Sequence, residues 1–109
     1  FGEHGLSFRL RGMVLASEGF NLSVVEAAQM INVTSRTLMR RLDADGTTFQ
    51  LIKDGVRRDV AMRELSFGAK SIEAIAQDVG FASAANFHRA FLRWTGQTPR
   101  AYQPRKKRE

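Results

Sequence analysis

Apolar residues recur along this chain at spacings of three and four, which is the period of an α-helix. No stretch alternates apolar and polar residues for long, as a half-buried β-strand would. Glycine and asparagine fall mostly between the periodic segments, and the two prolines, Pro99 and Pro104, lie near the end. The pattern therefore predicts an all-α protein of about seven helices.

Capping and terminating residues divide the first part of the chain. Residues 6–17 form the first predicted helix, which Gly19 stops. Its apolar residues are Phe8, Leu10 and Val14. Ser23 begins a second helix with a capping box, in which its hydroxyl accepts from the amide of Glu26 and the carboxylate reaches back. Asn32, which tolerates a left-handed backbone, ends that helix, and a hydroxyl residue, Thr34, caps the third.

The same signals continue to the C-terminus. After Gly46, a longer helix is predicted from Thr47 or Thr48 to about Leu65, although Gly55 inside it costs about 1 kcal/mol relative to alanine. Three further starts are marked by capping residues: Ser71, Ser83 and, before a proline, Thr98. The glycines that end the intervening segments are Gly68, Gly80 and Gly96.

Two segments of the chain repeat one pattern. Residues 23–42 match residues 71–91, with a shift of 48 residues through the first helix and 49 through the second, because Ala82 is inserted in the second turn. In each copy an alanine, Ala28 or Ala76, faces the capped helix and allows the two axes to approach closely. A capped helix after such a short turn is the helix-turn-helix pattern, and two copies in register strengthen it.

The second helix of such a motif lies in the DNA major groove, so its outward residues can meet base edges. At about 100° per residue, the outward residues are Arg36, Met39, Arg40 and Asp43 in the first copy and Ala84, Ala85, His88, Arg89 and Leu92 in the second. Small residues let the second helix seat deeply, and an arginine fork suits O6 and N7 of guanine. The inner stripe of the second copy is predicted to be buried: Phe81, Phe87, Phe91 and Trp94.

Plainer interpretations of these outward residues remain open. Arg40 and Arg89 could contact only phosphates or water, and His88 could be an ordinary surface residue. Met39 could contact a thymine methyl or simply cover the edge of the core. Asp43, near the helix end, would repel phosphate and is predicted to be solvated.

Charge favours a polyanionic partner. The 109 residues contain 17 lysines and arginines against 11 acids, a net charge of +6, and a strongly basic chain suits nucleic acid. A solvated basic surface would give the same balance. The chain begins at Phe1 without an initiator methionine, so we expect it to be a piece of a longer protein.

The residue types exclude several classes of chemistry. There is no cysteine, which excludes disulfides, thiolate zinc sites and cysteine nucleophiles. The two histidines, His4 and His88, are far apart, and no acids have metal-binding or catalytic spacing. No apolar run reaches the roughly 18 residues of a membrane span, and no signal peptide is visible. We therefore expect no enzyme activity, no cofactor, no membrane partner and a cytoplasmic location.

Residues 22–102 resemble the DNA-binding region of AraC/XylS-type bacterial transcriptional regulators. The most specific matches lie in the second copy: Ile75, Ala76, Val79, Gly80, Phe81, Phe87, Arg89, Phe91, Gly96, Pro99, Arg100, Ala101 and Tyr102. Asn32 stands where the family has a turn glycine.

The resemblance implies two helix-turn-helix subdomains, residues 1–46 and 67–104, joined by a linker helix at 47–66 and followed by a basic tail at 105–109. The two subdomains would bind in adjacent major grooves on one face of the DNA. A linker about 25 Å long is compatible with grooves about 34 Å apart.

The resemblance also places the base contacts on seven of the outward residues: Arg36, Met39, Arg40, Ala84, Ala85, His88 and Arg89. Helix starts and their neighbours would contact phosphate: Ser23, Thr34, Ser35, Thr48, Ser71, Ser83, Thr98 and Arg100. The implied function is sequence-specific binding of double-stranded DNA by a transcriptional regulator. RNA polymerase is a further expected partner, and an effector or dimerisation domain is expected outside this chain.

Two alternatives are a helical protein-interaction module and the DNA-binding part of a larger repair and regulatory protein. Repair methyltransferases with a related pair of motifs use cysteine as the alkyl acceptor, and this chain has none. The dependence of affinity on salt concentration distinguishes DNA binding from apolar docking, since only DNA binding weakens steeply as the salt concentration rises.

Overall fold

The computed structural model describes residues 2–104, and in that range it contains seven α-helices, one short 3-10 helix and no β-strand. The α-helices are α1 (Gly2–Ala16), α2 (Val24–Met30), α3 (Ser35–Ala44), α4 (Phe49–Phe67), α5 (Ile72–Asp78), α6 (Ala84–Thr95) and α7 (Pro99–Tyr102), and the 3-10 helix is Glu18–Phe20. The predicted all-α fold is confirmed. The predicted basic tail lies outside the described residues.

The chain divides between Val56 and Arg57, inside α4, into two compact units. The first half of α4 packs with α1–α3, and the second half packs with α5–α7. The core of the first unit contains Leu10, Val14, Leu22, Ala27, Ala28, Leu38, Leu42, Phe49, Ile52 and Val56. The core of the second contains Val60, Ala61, Leu65, Ile75, Ala76, Val79, Phe87, Ala90 and Phe91.

Six helices begin at the hydroxyl residues that the sequence predicts. In each, the side-chain oxygen accepts from the amide three residues later at 3.1 Å. The six caps are Ser23, Thr34, Thr48, Ser71, Ser83 and Thr98. The backbone amide of Ser23 also donates to Glu26 Oε1 at 3.0 Å, which completes the predicted capping box.

The turn between α2 and α3 closes with two backbone hydrogen bonds. The amide of Asn32 donates to the carbonyl of Gln29 at 3.1 Å, and the amide of Val33 donates to the carbonyl of Ala28 at 3.0 Å. This pair of bonds is a Schellman motif, which requires a left-handed residue. Asn32 supplies it with a φ of 61°, as predicted.

The turn between α5 and α6 has the same two bonds. The amide of Gly80 donates to the carbonyl of Gln77 at 3.1 Å, and the amide of Phe81 donates to the carbonyl of Ala76 at 2.9 Å. The φ of Gly80 is 92°. Between this turn and the helix cap, the second motif has one residue more than the first, which is Ala82.

The predicted apolar side of α1 is wrong at one position. Phe8 is 78% exposed, whereas Leu10 and Val14 are fully buried. Phe8 lies about 200° around the helix from Leu10, so both cannot face the core. α1 also starts earlier than predicted, at Gly2, and ends at Ala16.

Gly55 lies inside α4, beside the end of the Arg11 side chain of α1. A Cβ atom at this position would lie 3.2 Å from Nη1 of Arg11 on α1. Glycine therefore leaves room for the Arg11 side chain beside α4.

The inner stripe of the second motif is less uniformly buried than predicted. Phe87 and Phe91 are fully buried, but Phe81 and Trp94 are only half-buried. The Phe81 ring lies 5.6 Å from that of Phe87 and 5.8 Å from that of Trp94, and the Arg57 guanidinium stands 5.0 Å above it. An arginine at the edge of the cluster therefore covers an aromatic surface that water would otherwise meet.

Candidate nucleic-acid interface

The outward face of α3 lies opposite two fully buried leucines, Leu38 and Leu42. Arg36, Met39 and Arg40 lie on this outward face and are exposed. No described residue pairs with the guanidinium of Arg36 or Arg40. Both arginines can therefore meet an external partner without first breaking an internal contact.

A groove of about 570 Å³ lies between α3 and the start of α4. Met39 and Arg40, two predicted base contacts, line it together with Thr48, a predicted phosphate contact. Asp43 also lines it and is exposed, as predicted. The apolar lining residues, which the sequence interpretation missed, are Val24, Leu42 and Phe49.

The start of α4 lies beside α3 because of the turn at Gly46. Its φ is 80°, and the amide of the next residue, Thr47, donates to the carbonyl of Leu42 at 3.0 Å. The sequence marks this turn by the glycine, and the side chains of α3 and α4 that it brings together all lie between residues 39 and 50.

On α6, Ala85, His88 and Arg89 are exposed, opposite the buried Phe87 and Phe91. Arg89 and Arg93 are the charged residues of this helix, and it contains no acid. The outward face is therefore basic and has a small residue near its N-terminal end, as the sequence predicts.

Ala84 differs from the other predicted outward residues because it is half-buried. It lines a cavity of about 400 Å³ together with Ser83 and with Glu73 and Gln77 of α5. The prediction that it faces outward is therefore only partly right, since its position at the edge of α6 turns it towards α5. The Glu73 carboxylate near the capped end was not anticipated.

Asn86 is a further residue on α6 that the sequence interpretation missed. Its Oδ1 accepts a hydrogen bond from Nη2 of Arg89, one turn later on the same helix. The spacing of three residues was the available signal, because residues three apart on a helix are neighbours.

The predicted phosphate-contacting residues lie at or near helix starts. Six of them are exposed: Ser23, Thr34, Thr48, Ser71, Ser83 and Arg100. Ser35 and Thr98 are half-buried. The hydroxyl of Thr34 donates to Oγ1 of Thr37 at 3.1 Å, so its proton is already used within the protein.

The ion pairs of the described residues leave the arginines of α3 and α6 unneutralised. Lys70 Nζ lies 2.7 Å from Asp78 Oδ2, at the end of α5, and 4.0 Å from Glu64 Oε1. The hydrogen bond to Asp78 raises the pKa of Lys70. The pair Arg58–Asp59 lies on α4.

Within residues 2–104, no group of three histidine, cysteine, aspartate or glutamate side chains is arranged to hold a metal ion. None of the helices in the same range is both long enough and apolar enough to cross a lipid bilayer.

A family model described as a helix-turn-helix domain matches residues 27–105, which include the whole of the second motif and the first motif from Ala27 onward. The chain belongs to this family. The AraC/XylS-type resemblance of the sequence is thereby confirmed, and the chain is a helix-turn-helix DNA-binding domain of the kind that transcriptional regulators contain.

Named relatives of this helix-turn-helix domain are bacterial regulators. The ornithine utilization regulator of Pseudomonas aeruginosa is 36% identical over 101 residues, which are 93% of this chain and 30% of that protein. The HTH-type transcriptional regulator VqsM of the same species is 34% identical over 76 residues, 70% of this chain and 23% of that protein. The chain thus spans less than a third of the length of these relatives.

Solved structures give the same result. The transcriptional regulator CdpR from Pseudomonas aeruginosa matches with a TM-score of 0.83 and 34% identity, over 90% of this chain and 31% of that one. A DNA-binding transcriptional dual regulator from Escherichia coli K-12 matches with a TM-score of 0.85 over 90% of this chain and 88% of that one. At 19% identity, the second match supports the fold alone.

Proposed function

We propose that this helix-turn-helix domain binds double-stranded DNA sequence-specifically, with α3 and α6 each inserted in a major groove. One observation carries the proposal: two helix pairs with equivalent turns each present exposed arginines that no described acid neutralises. In helix-turn-helix proteins the second helix of the pair enters the groove. We call α3 and α6 the recognition helices from here on.

The proposed base contacts are Arg36, Met39 and Arg40 on α3 and Ala84, Ala85, His88 and Arg89 on α6. An arginine fork can donate to both O6 and N7 of guanine, and an apolar side chain can contact a thymine methyl. Met39 is 51% exposed, which suits the second role. Because Ala84 is half-buried, its proposed part is to keep the helix start small.

Phosphate groups would be bound at the starts of the recognition helices and of α4. The cap hydroxyls of Thr34, Ser83 and Thr48 occupy one amide each, and the remaining first-turn amides point out of the helix and can donate to phosphate oxygens. The other proposed phosphate contacts are Ser23, Ser35, Ser71, Thr98 and Arg100.

Two motifs in one chain can occupy two half-sites, so we propose binding by one chain to an asymmetric site of about two turns. RNA polymerase is the proposed second partner, since transcriptional regulators act through it. We also propose that an effector or dimerisation domain belongs to the same protein, because its relatives are longer. The proposed place of action is the bacterial nucleoid.

Selection from random duplexes identifies the preferred site, and affinities for all single-base variants of that site then test the contacts at fixed salt. We expect Arg36→Ala or Arg40→Ala to relax base preference in one half-site by about 1–3 kcal/mol. Arg89→Ala should relax one or two positions of the other half-site. Ala85→Glu should abolish binding there, because it places a carboxylate against the groove.

Matched controls separate readout from total charge. Arg9→Ala and Arg63→Ala each remove one exposed arginine from the same unit as Arg40 and Arg89, respectively, and should leave base preference intact. Ala69→Glu adds the same charge to an exposed alanine of the second unit. If Arg40→Ala and Arg89→Ala lower affinity equally for every sequence, these arginines contact phosphate. If binding does not weaken with salt, the partner is not DNA.

A further inference from the structure

The hydrogen bond between Asn86 and Arg89 lies on the outward face of α6. We call this face, which we propose contacts the bases, the reading face. Both side chains are exposed, and Nη2 of Arg89 donates to Oδ1 of Asn86. No other side chain of the described residues hydrogen-bonds or ion-pairs with either of these two side chains. The two side chains therefore form a hydrogen-bonded pair that faces solvent, and the packing of the protein does not impose its geometry.

The hydrogen bond restricts where the guanidinium can lie. Asn86 is about 60° from Arg89 around the helix and one turn nearer the N-terminus, so the bond holds the fork towards one edge of the reading face. A guanidinium has five N–H donors, and the bond to Asn86 leaves four. Two of these are enough for a bidentate contact with guanine.

The first motif has no such pair. The residues that match Asn86 and Arg89 are Thr37 and Arg40. Oγ1 of Thr37 accepts from the hydroxyl of the cap, Thr34, at 3.1 Å. None of the described residues holds the Arg40 guanidinium. The two recognition helices thus present one restrained and one unrestrained arginine at the same position.

We propose that Asn86 is a positioning residue that holds the Arg89 fork ready for one base pair of the second half-site. The inference rests on the proposed function, because it concerns how Arg89 meets DNA. A side chain that is ordered before binding loses less conformational entropy on binding. Such a side chain also reaches neighbouring bases less easily, so Arg89 should contact fewer base pairs than Arg40.

The free protein provides the first test, by ¹⁵N relaxation of the arginine Nε–H groups. Arg89 should be more ordered than Arg40. Asn86→Ala should reduce the order of Arg89 to that of Arg40, which itself should not change. Asn86→Asp keeps the acceptor oxygen and should keep Arg89 ordered. Equal order of Arg89 in the wild type and in Asn86→Ala would overturn the proposal.

A double-mutant cycle on DNA provides the second test. Asn86→Ala should reduce the preference for the base pair that Arg89 reads by about 2- to 12-fold, which is the effect of ordering one such side chain. In the Arg89→Ala background it should have no further effect. If its effect persists in that background, Asn86 contacts DNA itself. If it lowers affinity equally for every sequence, it has no positioning role.

The variants should fold, because the amide of residue 86, not its side chain, donates to the cap oxygen of Ser83. An unchanged melting temperature of Asn86→Ala confirms this. If the wild-type domain shows no base preference, the proposed function is wrong, and so is the proposed base contact of Arg89. If the wild type shows a clear preference but the order of Arg89 is unchanged in Asn86→Ala, only the positioning role of Asn86 is wrong.

Discussion

In the first helix-turn-helix motif the recognition helix buries aliphatic side chains, and in the second it buries aromatic ones. Leu38 and Leu42 of α3 are matched by Phe87 and Phe91 of α6, and all four are fully buried. Nevertheless, the turns of the two motifs are closed by equivalent backbone bonds. The motif geometry therefore depends on turn and cap bonds, which accept either kind of core.

The outward faces differ as much as the cores. α3 presents Arg36 and Arg40 without a partner among the described residues, whereas the exposed Arg89 of α6 is bonded to Asn86. Because the backbone of each motif is set locally, its outward residues are free to differ. One scaffold, used twice, can thus carry two different reading faces.

The largest expected effect tests the contrast between the two cores. Phe91→Ala should destabilise the second unit by about 3–5 kcal/mol, because a large cavity would remain where the Phe91 ring now packs against Phe87 and, edge-on, against Tyr102. Leu42→Ala, the matched change in the first unit, should cost about 2–5 kcal/mol there. Denaturant unfolding measures both, with Trp94 fluorescence as the reporter for the second unit.

The Trp94 signal provides the control for this comparison. The fluorescence should respond to Phe91→Ala, because Phe91 and Trp94 lie in the same unit. An unchanged transition in that variant would mean that the Phe91 ring is not enclosed, and the assignment of the outward face of α6 would be lost with it.

The next effect concerns the turns. Gly80 has a φ of 92° and Asn32 one of 61°, and only the second lies near the left-handed value of about 57° that L-residues visit. Gly80→Ala should therefore destabilise its unit by about 1–2 kcal/mol. Gly80→Asn should be more harmful than the reverse change, Asn32→Gly. Equal effects in denaturant unfolding would show that the two turns are interchangeable.

Local signals made the helix starts and the turns predictable from sequence. Ser23, Thr34 and Ser83 cap helices through bonds that span three residues, and Asn32 and Gly80 reveal their turns by conformational preference. These features depend on neighbours in sequence. They are therefore visible without any knowledge of packing.

Most of the incorrect or missed features depend on how the helices pack and not on capping or turn residues. Phe8 is exposed because Leu10 and Val14 take the core side of α1, and the spacing alone did not identify that side. Trp94 is only half-buried because it lies at the edge of the aromatic cluster. Ala84 turns towards α5, and only the packing of the helix pair shows this.

The smallest expected effect concerns the capping box that only the first motif has. The backbone amide of Ser23, and secondarily its hydroxyl, donate to the carboxylate of Glu26 and lower its pKa below 4.5, and Lys53 adds to the shift. Ala74 stands at the matching position of α5 and cannot titrate. The first cap should therefore depend on pH, and the second should not.

The direction of this pH dependence follows from the lowered pKa. As the pH falls below 4.5, the unfolded chain takes up the Glu26 proton before the folded protein does, so the stabilisation is lost through the folded-state pKa. Glu26→Gln keeps the capping hydrogen bond but removes the charge, and should make the fall in melting temperature shallower. Glu73→Gln, which removes a carboxylate from the first turn of α5, is the control. If Glu26→Gln and the wild type lose stability in parallel, the carboxylate of the box adds nothing that a neutral amide does not, and the two caps do not differ in their dependence on pH.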